Sequence, residues 1–529
     1  MCRVLLLDLG TPRDELSEPI GIETLASYTE ASCPEIRLTL KSLEIDNVKI
    51  SDIETVFAEE PFDIVGISTK IGAYERLSKA INGIHKYNRA IIVLGDILAT
   101  FAYNDILDIF DNVICVRGEG EESMPEIVQR YTKYGRSLWN YLFDIPNLAY
   151  KYHGKTILTR RSVIDVRKAR HAKRSLLRDI LRQNGIAHLE ASRGCIYSNC
   201  SFCGVNEKYN RTRWRPFELE YVIEELEVLS NAGSKSPYFT DEDFFGDDID
   251  RVHEFCHKVI EGKKCSRINP HMNFYFNARV GSILGEGHGG IKESIYALNL
   301  LKQAGLREIF IGVESGCSEQ IKRYKKITTA QENLAAIDIL RRTNIDLDIG
   351  FIFFDPEATL ADLRANIDLI CKAGINKNYS RVIKKLRLEP LTKLGDSFLQ
   401  SHPQARVDLD LICHQYEFEH EEVAEIHQKF YDWEVEDLDI IYNMQSFCRG
   451  EVVSEDERKE IKDIIACYRY LDIEYLNALI TAYESSLYSN GYLDNITAEF
   501  KRGRNHFDST LIDKVKWYDS SYRRCRSLV

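Results

Sequence analysis

Two blocks of alternating β-rich runs and helical stretches constrain the fold of this 529-residue chain more than any other feature. In the first block, apolar runs cover residues 3–9, 63–68, 90–94 and 112–116, with helical stretches such as 75–87 between them. In the second, runs near 188–191, 238–240, 273–276, 308–313, 346–353 and 382–388 alternate with helical patterns such as 218–229 and 291–304. Parallel neighbours need a crossover connection, usually a helix, so this alternation predicts α/β architecture with parallel sheets. The first block predicts an open, doubly wound sheet. The second holds about six βα units, short of the ~250 residues of a full eight-fold barrel, and predicts a partial (β/α)6 barrel. Residues 401–529 read as mostly helical. The expected division is 1–135 for the first sheet, 136–185 for a linker with a solvated basic helix over 167–182, 186–400 for the barrel and 401–529 for a helical cap.

In both architectures functional residues collect at the carboxyl ends of the strands. In the first block those ends carry Gly10-Thr11, Ser68-Thr69, Gly95-Asp96 and Gly118-Glu119. In the second they carry Asp241 and Asp243, Arg279, Glu314-Ser315 and Glu357. Directly after the first barrel strand comes Cys195-Ile-Tyr-Ser-Asn-Cys200-Ser-Phe-Cys203, a C-x4-C-x2-C array. Three thiolates on one loop can hold three irons of a cubane cluster and leave the fourth open, and an open iron implies chemistry rather than electron storage alone. Two alternatives stand beside this. A zinc site would need a fourth ligand from His253, Cys256, His257 or Cys265, on or beside a helix some distance along the chain. Three buried free thiols between Gly194 and Gly204 would be an odd core.

The formal charge of −13, without a long basic run, argues against nucleic acid as the main partner. The N-terminal apolar run lacks the length and small-residue cleavage site of a signal peptide, and no run reaches transmembrane length. The fourteen cysteines are therefore expected to be cytoplasmic thiols, with one metal-binding group. Cys371, Cys413, Cys448, Cys467 and Cys525 are too widely spaced to predict an auxiliary cluster. The run 417–439 predicts a solvated acidic helix, and Arg211, Arg213 and Arg215 predict ion pairs beside the barrel or contacts to a substrate carboxylate.

Residues 186–400 resemble the radical SAM superfamily. The resemblance is carried by Ser192-Arg193-Gly194-Cys195 with Cys200-Ser201-Phe202-Cys203, by Asp241-x-Asp243-Phe244, by Gly312-Val313-Glu314-Ser315-Gly316, and by Gly350-Phe351-Ile352-Phe353-Phe354-Asp355-Pro356-Glu357. This chain departs from the family's C-x3-C-x2-C by one residue, which must bulge the loop, and Phe354 stands where the family has a second glycine. The resemblance implies that Cys195, Cys200 and Cys203 ligate a [4Fe–4S] cluster whose open iron takes S-adenosylmethionine (SAM). It also places Phe202 and Ile352 near the adenine, and Arg279, Glu314 and Ser315 at cofactor-facing strand ends. Loop packing, plain core and a structural ion pair are the alternative roles of these residues, and turn and helix-cap duty that of Asp241 and Asp243.

Residues 1–135 resemble the Rossmann-like cobalamin-binding domain that precedes one class of radical SAM enzymes. The carriers are Pro19-x-Gly21-Ile22, Gly66-Ile67-Ser68, Leu94-Gly95 and Arg117-Gly118-Glu119-Gly120-Glu121. Ser68, Gly95 and Gly118 are the expected cofactor contacts. The signature that supplies a lower axial histidine is absent, and Asp96 replaces a glycine where its side chain would crowd the nucleotide tail. Together the resemblances imply a radical SAM enzyme acting on an unactivated carbon of a small molecule or peptide, with cobalamin-dependent C-methylation as the leading activity. A cobalamin-independent rearrangement, oxidation or transfer of another SAM-derived group is the enzymatic alternative, and a cluster-bearing sensor or scaffold the non-enzymatic one. The implied partners are a reductant such as flavodoxin or ferredoxin and the substrate, with neither nucleic acid nor membrane, in a monomer or homodimer. No catalytic residue is assigned.

Overall fold

The strand Arg3–Asp8 is apolar along nearly its whole length, and both its faces are covered. Leu5 and Leu7 face one core with Val65, Ile67, Ile92 and Leu94. Val4 and Leu6 face the other with Ile64, Val93 and Ile114. Successive side chains point to opposite faces, so a continuous apolar run is what a central parallel strand with helices on both sides demands. The computed structural model describes residues 1–11, 16–58, 60–287 and 289–527. Its first sheet runs Arg37–Ser42, Arg3–Asp8, Ile64–Ser68, Ile91–Gly95 and Val113–Val116, all parallel. Leu148–Tyr152 and Lys155–Leu158 then extend it antiparallel. These two strands fall where a linker is expected, so the sheet continues past residue 135. The expected helix over 167–182 shrinks to Leu177–Arg182. Nor is that stretch wholly solvated: Arg174 is buried and paired with Glu18 and Glu225.

The second sheet is parallel throughout, in the order His188–Leu189, Tyr238–Phe239, Phe274–Ala278, Leu306–Glu314, Asp346–Phe351. A sixth extended segment joins through a bridge between Phe354 and Lys385. The result is a partial barrel. Its helices start where the chain offers capping boxes, Thr329 with Glu332 and Thr359 with Asp362.

The cap consists of helices Glu421–Glu434, Leu438–Arg449, Glu455–Glu484 and Asn490–Ser527. The first of these is not a solvated acidic helix. Val423, Ile426, Phe430 and Trp433 are buried, Trp433 Nε1 donates to Asp472 at 2.8 Å, and the buried Glu434 pairs with Arg381 at 2.6 Å. The cap seals the amino-terminal mouth of the barrel. Arg449 meets Asp348 at 2.9 Å, and Lys462 meets Glu308 at 2.9 Å and Asp346 at 2.7 Å, all early in their strands. The carboxyl-terminal mouth stays with the cysteine loop.

Candidate active site

Cys195, Cys200 and Cys203 are all half-buried on the loop between the short strand Ser192–Arg193 and the turn of helix Val205–Lys208. The extra residue of the C-x4-C interval is accommodated at Ser198, whose φ is +46°. Its hydroxyl donates to the Cys195 carbonyl, and its own carbonyl accepts from the Asn206 amide. The bulge is therefore satisfied by the loop and the helix that follows it. The other side of the loop is pinned to the turn after helix Ser318–Arg323. Ser201 N donates to Tyr324 O at 2.8 Å, Ser201 Oγ to Arg323 O at 2.6 Å, and Leu394 N to Ser201 O at 2.9 Å. Burial pushes the Cys200 thiol up to about 11 and raises Cys203 further, with the charges of neighbouring cysteines adding to both. Thiols that feel one another in this way ionise readily only when a metal takes up their charge.

Asp241 and Asp243 are buried and cap no helix; the cap of Ile249–Lys264 is Asp248. Asp241 accepts from Ala191 N at 2.9 Å and Ser192 Oγ at 2.5 Å, fixing the strand that feeds the cysteine loop. Burial raises its carboxyl to about 7. Asp243 Oδ2 lies 4.0 Å from Cys195 Sγ and 2.8 Å from Arg279 Nε, so Arg279 acts as counter-ion to the carboxylate beneath the first cysteine. Glu314 does not pair with Arg279. It sits at a register shift of its strand with φ +66°, and Lys326 Nζ lies 3.2 Å from its Oε1. Phe202 meets Tyr324 edge-to-face with centroids 5.5 Å apart, and both belong to one small apolar group with Ile352, Leu386 and Leu388. Ile352 N also donates to Glu314 O at 2.7 Å. Ser315 stands apart: it is fully buried, and its hydroxyl is committed to Gln320 at 2.6 Å, Asn366 at 2.8 Å and Cys317 N at 2.9 Å. That role is to shape the turn after the strand.

Ser68, Gly95 and Gly118 come together at a cavity of about 630 Å³. It opens at the carboxyl ends of the N-terminal strands, where ligands of such sheets bind. Leu6, Ile22, Gly66, Val93, Val116 and Met124 line an apolar part of its wall. Gly66 lets Leu6 pack close there, because a Cβ would meet Leu6 at 2.7 Å and Met124 at 3.4 Å and push them into the cavity. Asp96 does adopt the left-handed backbone suited to glycine, with φ +76°, and its carboxylate accepts from Ser68 Oγ at 2.9 Å. The far wall belongs to the barrel and cap and is polar: His188, Glu190, Arg193, Thr240, Tyr442 and Arg449. An apolar slot beside a polar, charged wall suits a large amphipathic cofactor such as cobalamin.

Glu357 lines a separate cavity of about 490 Å³ with Tyr324, Asp355, His402, Tyr416 and Glu417. The zinc alternative gathers no ligand set: among the described residues no group of three or more His, Cys, Asp or Glu closes on a single ion, and His253 lies 3.4 Å from Glu293. A cubane places each thiolate on a separate iron, so a one-ion geometry is not what the cysteine loop needs to form. The Cys525 side chain lies outside the described residues. Of the arginines after the loop, Arg215 pairs with Glu119 at 2.5 Å. Among the described residues, no helix is long and apolar enough to cross a membrane.

Residues 189–370 match the family model of the Radical SAM superfamily, and the chain carries a radical SAM domain. In fold it is similar over 99% of its length to the cobalamin-dependent S-adenosylmethionine radical enzyme OxsB with aqua-cobalamin bound, with TM-score 0.79, 18% identity and 84% of that chain covered. It is also similar to the radical S-adenosylmethionine methyltransferase TsrM from Kitasatospora setae with cobalamin and a [4Fe–4S] cluster bound, with TM-score 0.61, 18% identity, and 76% of this chain and 78% of that one covered. In sequence it is 26% identical to 4'-phospho-dehydrooxetanocin synthase of Priestia megaterium over 66% of this chain and 47% of that protein, so it spans about half that relative's length. It is 24% identical to hopanoid C-3 methylase of Methylococcus capsulatus over 64% of this chain and 61% of that protein. At such identities the structural likeness establishes the fold. The radical SAM superfamily uses a [4Fe–4S] cluster and SAM, and the three-thiol loop with a free fourth position fits that pair.

Several residues at the site carry no local sequence signal. Lys326 reaches Glu314 from a turn 12 positions on. His188, Tyr442 and Arg449 reach the cavity from a strand start and from the cap. Burial forces the His188 imidazole down to about 3, and its Nδ1 lies 3.1 Å from the Glu18 carbonyl, which requires the Nδ1–H tautomer. Only the packing of strands, turns and cap helices in three dimensions brings these side chains together.

Proposed function

We propose that this chain is a cobalamin-dependent radical SAM methyltransferase that acts on carbon of a small polar molecule. One observation carries the reading: the cavity at the carboxyl ends of the N-terminal strands is continuous with the barrel wall beside the cysteine loop, since Ser68, Gly95, Gly118, Arg193, His188 and Thr240 all line it. A [4Fe–4S] cluster would supply one electron to SAM, and cobalamin a methyl group for transfer. The chain's own residues divide the remaining work. Cys195, Cys200 and Cys203 would hold the cluster, with Asp243 and Arg279 setting the field beneath it. Glu314 and Lys326 form a charge pair at a strand end that suits the amino and carboxylate groups of SAM, and Phe202 and Ile352 an apolar surface that suits adenine. The Gly66 slot would take the dimethylbenzimidazole base at the end of cobalamin's nucleotide tail. The cap packs against the amino-terminal ends of the barrel strands through Arg449 and Lys462 and would help to shield radical chemistry from solvent on that side.

The polar cavity wall favours a hydrophilic substrate over a lipid. A flavodoxin or ferredoxin would supply electrons.

The test is anaerobic reconstitution with iron, sulfide and hydroxocobalamin, followed by gel filtration, an absorption spectrum and incubation with SAM and dithionite. Co-eluting cobalamin, four irons per chain in round terms and adenosine-containing or demethylated SAM products support the reading. Protein that retains iron but no cobalamin sinks the cobalamin-dependent part. Protein that leaves SAM intact sinks the enzyme.

A further inference from the structure

The loop 117–121 of the N-terminal domain and the cysteine loop are fastened to one another by buried charge. Ser192–Arg193 pairs antiparallel with Arg215–Pro216, so these two short strands form a ribbon that brackets the whole cysteine loop. Each strand sends one guanidinium to the same N-terminal loop. Arg193 Nη1 lies 2.7 Å from Glu121 Oε1 and 3.2 Å from Glu119 Oε1, and its Nη2 lies 2.8 Å from Glu190 Oε2. Arg215 Nη2 lies 2.5 Å from Glu119 Oε1. Arg193, Glu119 and Glu121 are only 7%, 7% and 6% exposed. Charges that deep are held in place by their partners, since an unpaired one would be strongly unfavourable.

Backbone contact reinforces the ion pairs. Gly118, with φ +82°, lies so close to the Lys208 carbonyl at the far end of the cysteine loop that any Cβ would collide with it. Arg161 Nη1 also reaches Glu207 Oε1 at 2.8 Å. The same residues form the cavity wall: Gly118, Glu119, Gly120, Glu121, Arg193 and Lys208 all line it. Whatever fills the cavity therefore presses on both partners of the clamp.

We propose that this clamp links the two cofactor sites: a corrin seated against residues 118–121 holds Arg193 and slows loss of the cluster from Cys195, Cys200 and Cys203, and an intact cluster in turn tightens corrin binding. Arg193 acts as a positioning residue, through the N-terminal loop. The inference rests on the cobalamin reading above; reciprocity follows from linkage for the two affinities, and slower iron release is the kinetic form that the tighter cluster takes.

The test uses full-length protein reconstituted with its cluster, with and without hydroxocobalamin, and follows iron release to a colorimetric chelator. Cobalamin is expected to slow release by about fivefold or more. Arg193→Gln, measured at saturating cobalamin, is expected to lose that difference. A second measurement needs no variant: the cobalamin Kd of cluster-loaded wild-type protein is expected to be about fivefold or more below that of cluster-free protein. Cobalamin binding with equal iron-release rates and equal Kd values overturns the inference alone, as does a cobalamin effect that survives in Arg193→Gln. Absence of cobalamin binding overturns both the inference and the reading beneath it.

Discussion

The parallel strands of the two large sheets present their carboxyl ends to the same space in opposite ways. The N-terminal sheet works by omission. Gly95 leaves open space, Gly66 and Gly118 let Leu6 and the Lys208 carbonyl pack close beside it, and Val93 and Val116 complete the wall. The barrel works by provision. Cys195, Cys200 and Cys203, Asp243 with Arg279, and Glu314 with Lys326 each place a reactive or charged group. A site built by omission is sensitive to added volume, whereas one built by provision is sensitive to lost donors.

That contrast sets the predictions. Cys200→Ala is expected to have the largest effect, abolishing the cluster's absorbance and all SAM turnover while cobalamin still binds the apo-protein; a variant that keeps turning SAM over breaks the assignment of the barrel side. Gly66→Val is the mirror experiment. Overpacking costs about 1–3 kcal/mol, so cobalamin affinity is expected to fall by roughly tenfold or more while iron content is unchanged. Spectrophotometric titration with hydroxocobalamin checks it, and undiminished binding would place the nucleotide tail elsewhere. Glu314→Gln leaves Lys326 without its carboxylate and is expected to weaken SAM binding by about tenfold with cobalamin binding unaltered, measured by equilibrium dialysis.

The fourth prediction concerns acid. His188 is held neutral, its pKa lowered to about 3 by burial, against an ordinary value of 6.5. A depressed folded pKa means that the unfolded chain binds the proton first, so stability is intact above 6.5 and declines as pH falls towards 3. Between pH 6.5 and 5 this group alone removes about 2 kcal/mol from the apo-protein. Urea denaturation across that range is expected to show the loss, and His188→Gln to flatten it. The smallest effect belongs to Ser198→Gly. Glycine tolerates the left-handed backbone but gives up the bond to the Cys195 carbonyl, so the net change is expected within about 1 kcal/mol, with an unaltered electron paramagnetic resonance spectrum of the reduced cluster.

The provided side was far more legible in the sequence than the omitted one. Three cysteines in nine residues are conspicuous, and the βα alternation on either side placed them at a strand end. Glycines at strand ends look alike whether they make room for a cofactor or merely turn the chain, so Gly95 and Gly118 took their meaning from resemblance and from the cavity. Pairings were also hidden. Asp243 with Arg279 and Glu314 with Lys326 join strands and turns whose distance in space periodicity does not encode. The antiparallel strands Leu148–Tyr152 and Lys155–Leu158 are hard to see in the sequence because Lys, Tyr and Thr interrupt both, and the second is the exposed edge of the sheet. The helix Glu421–Glu434 was misjudged because its acidic residues outnumber the four apolar ones that bury it.

The turn at Ser198 carries a consequence for how such loops are counted. Spacing in a ligand motif is a proxy for the path the backbone takes between ligands. A residue in the left-handed region, whose hydroxyl bonds back to the first cysteine's carbonyl and whose own carbonyl is met by the following helix, adds a letter to the interval at a turn rather than along an extended stretch. Loops of this kind are better compared by where their thiols stand than by how many letters lie between them.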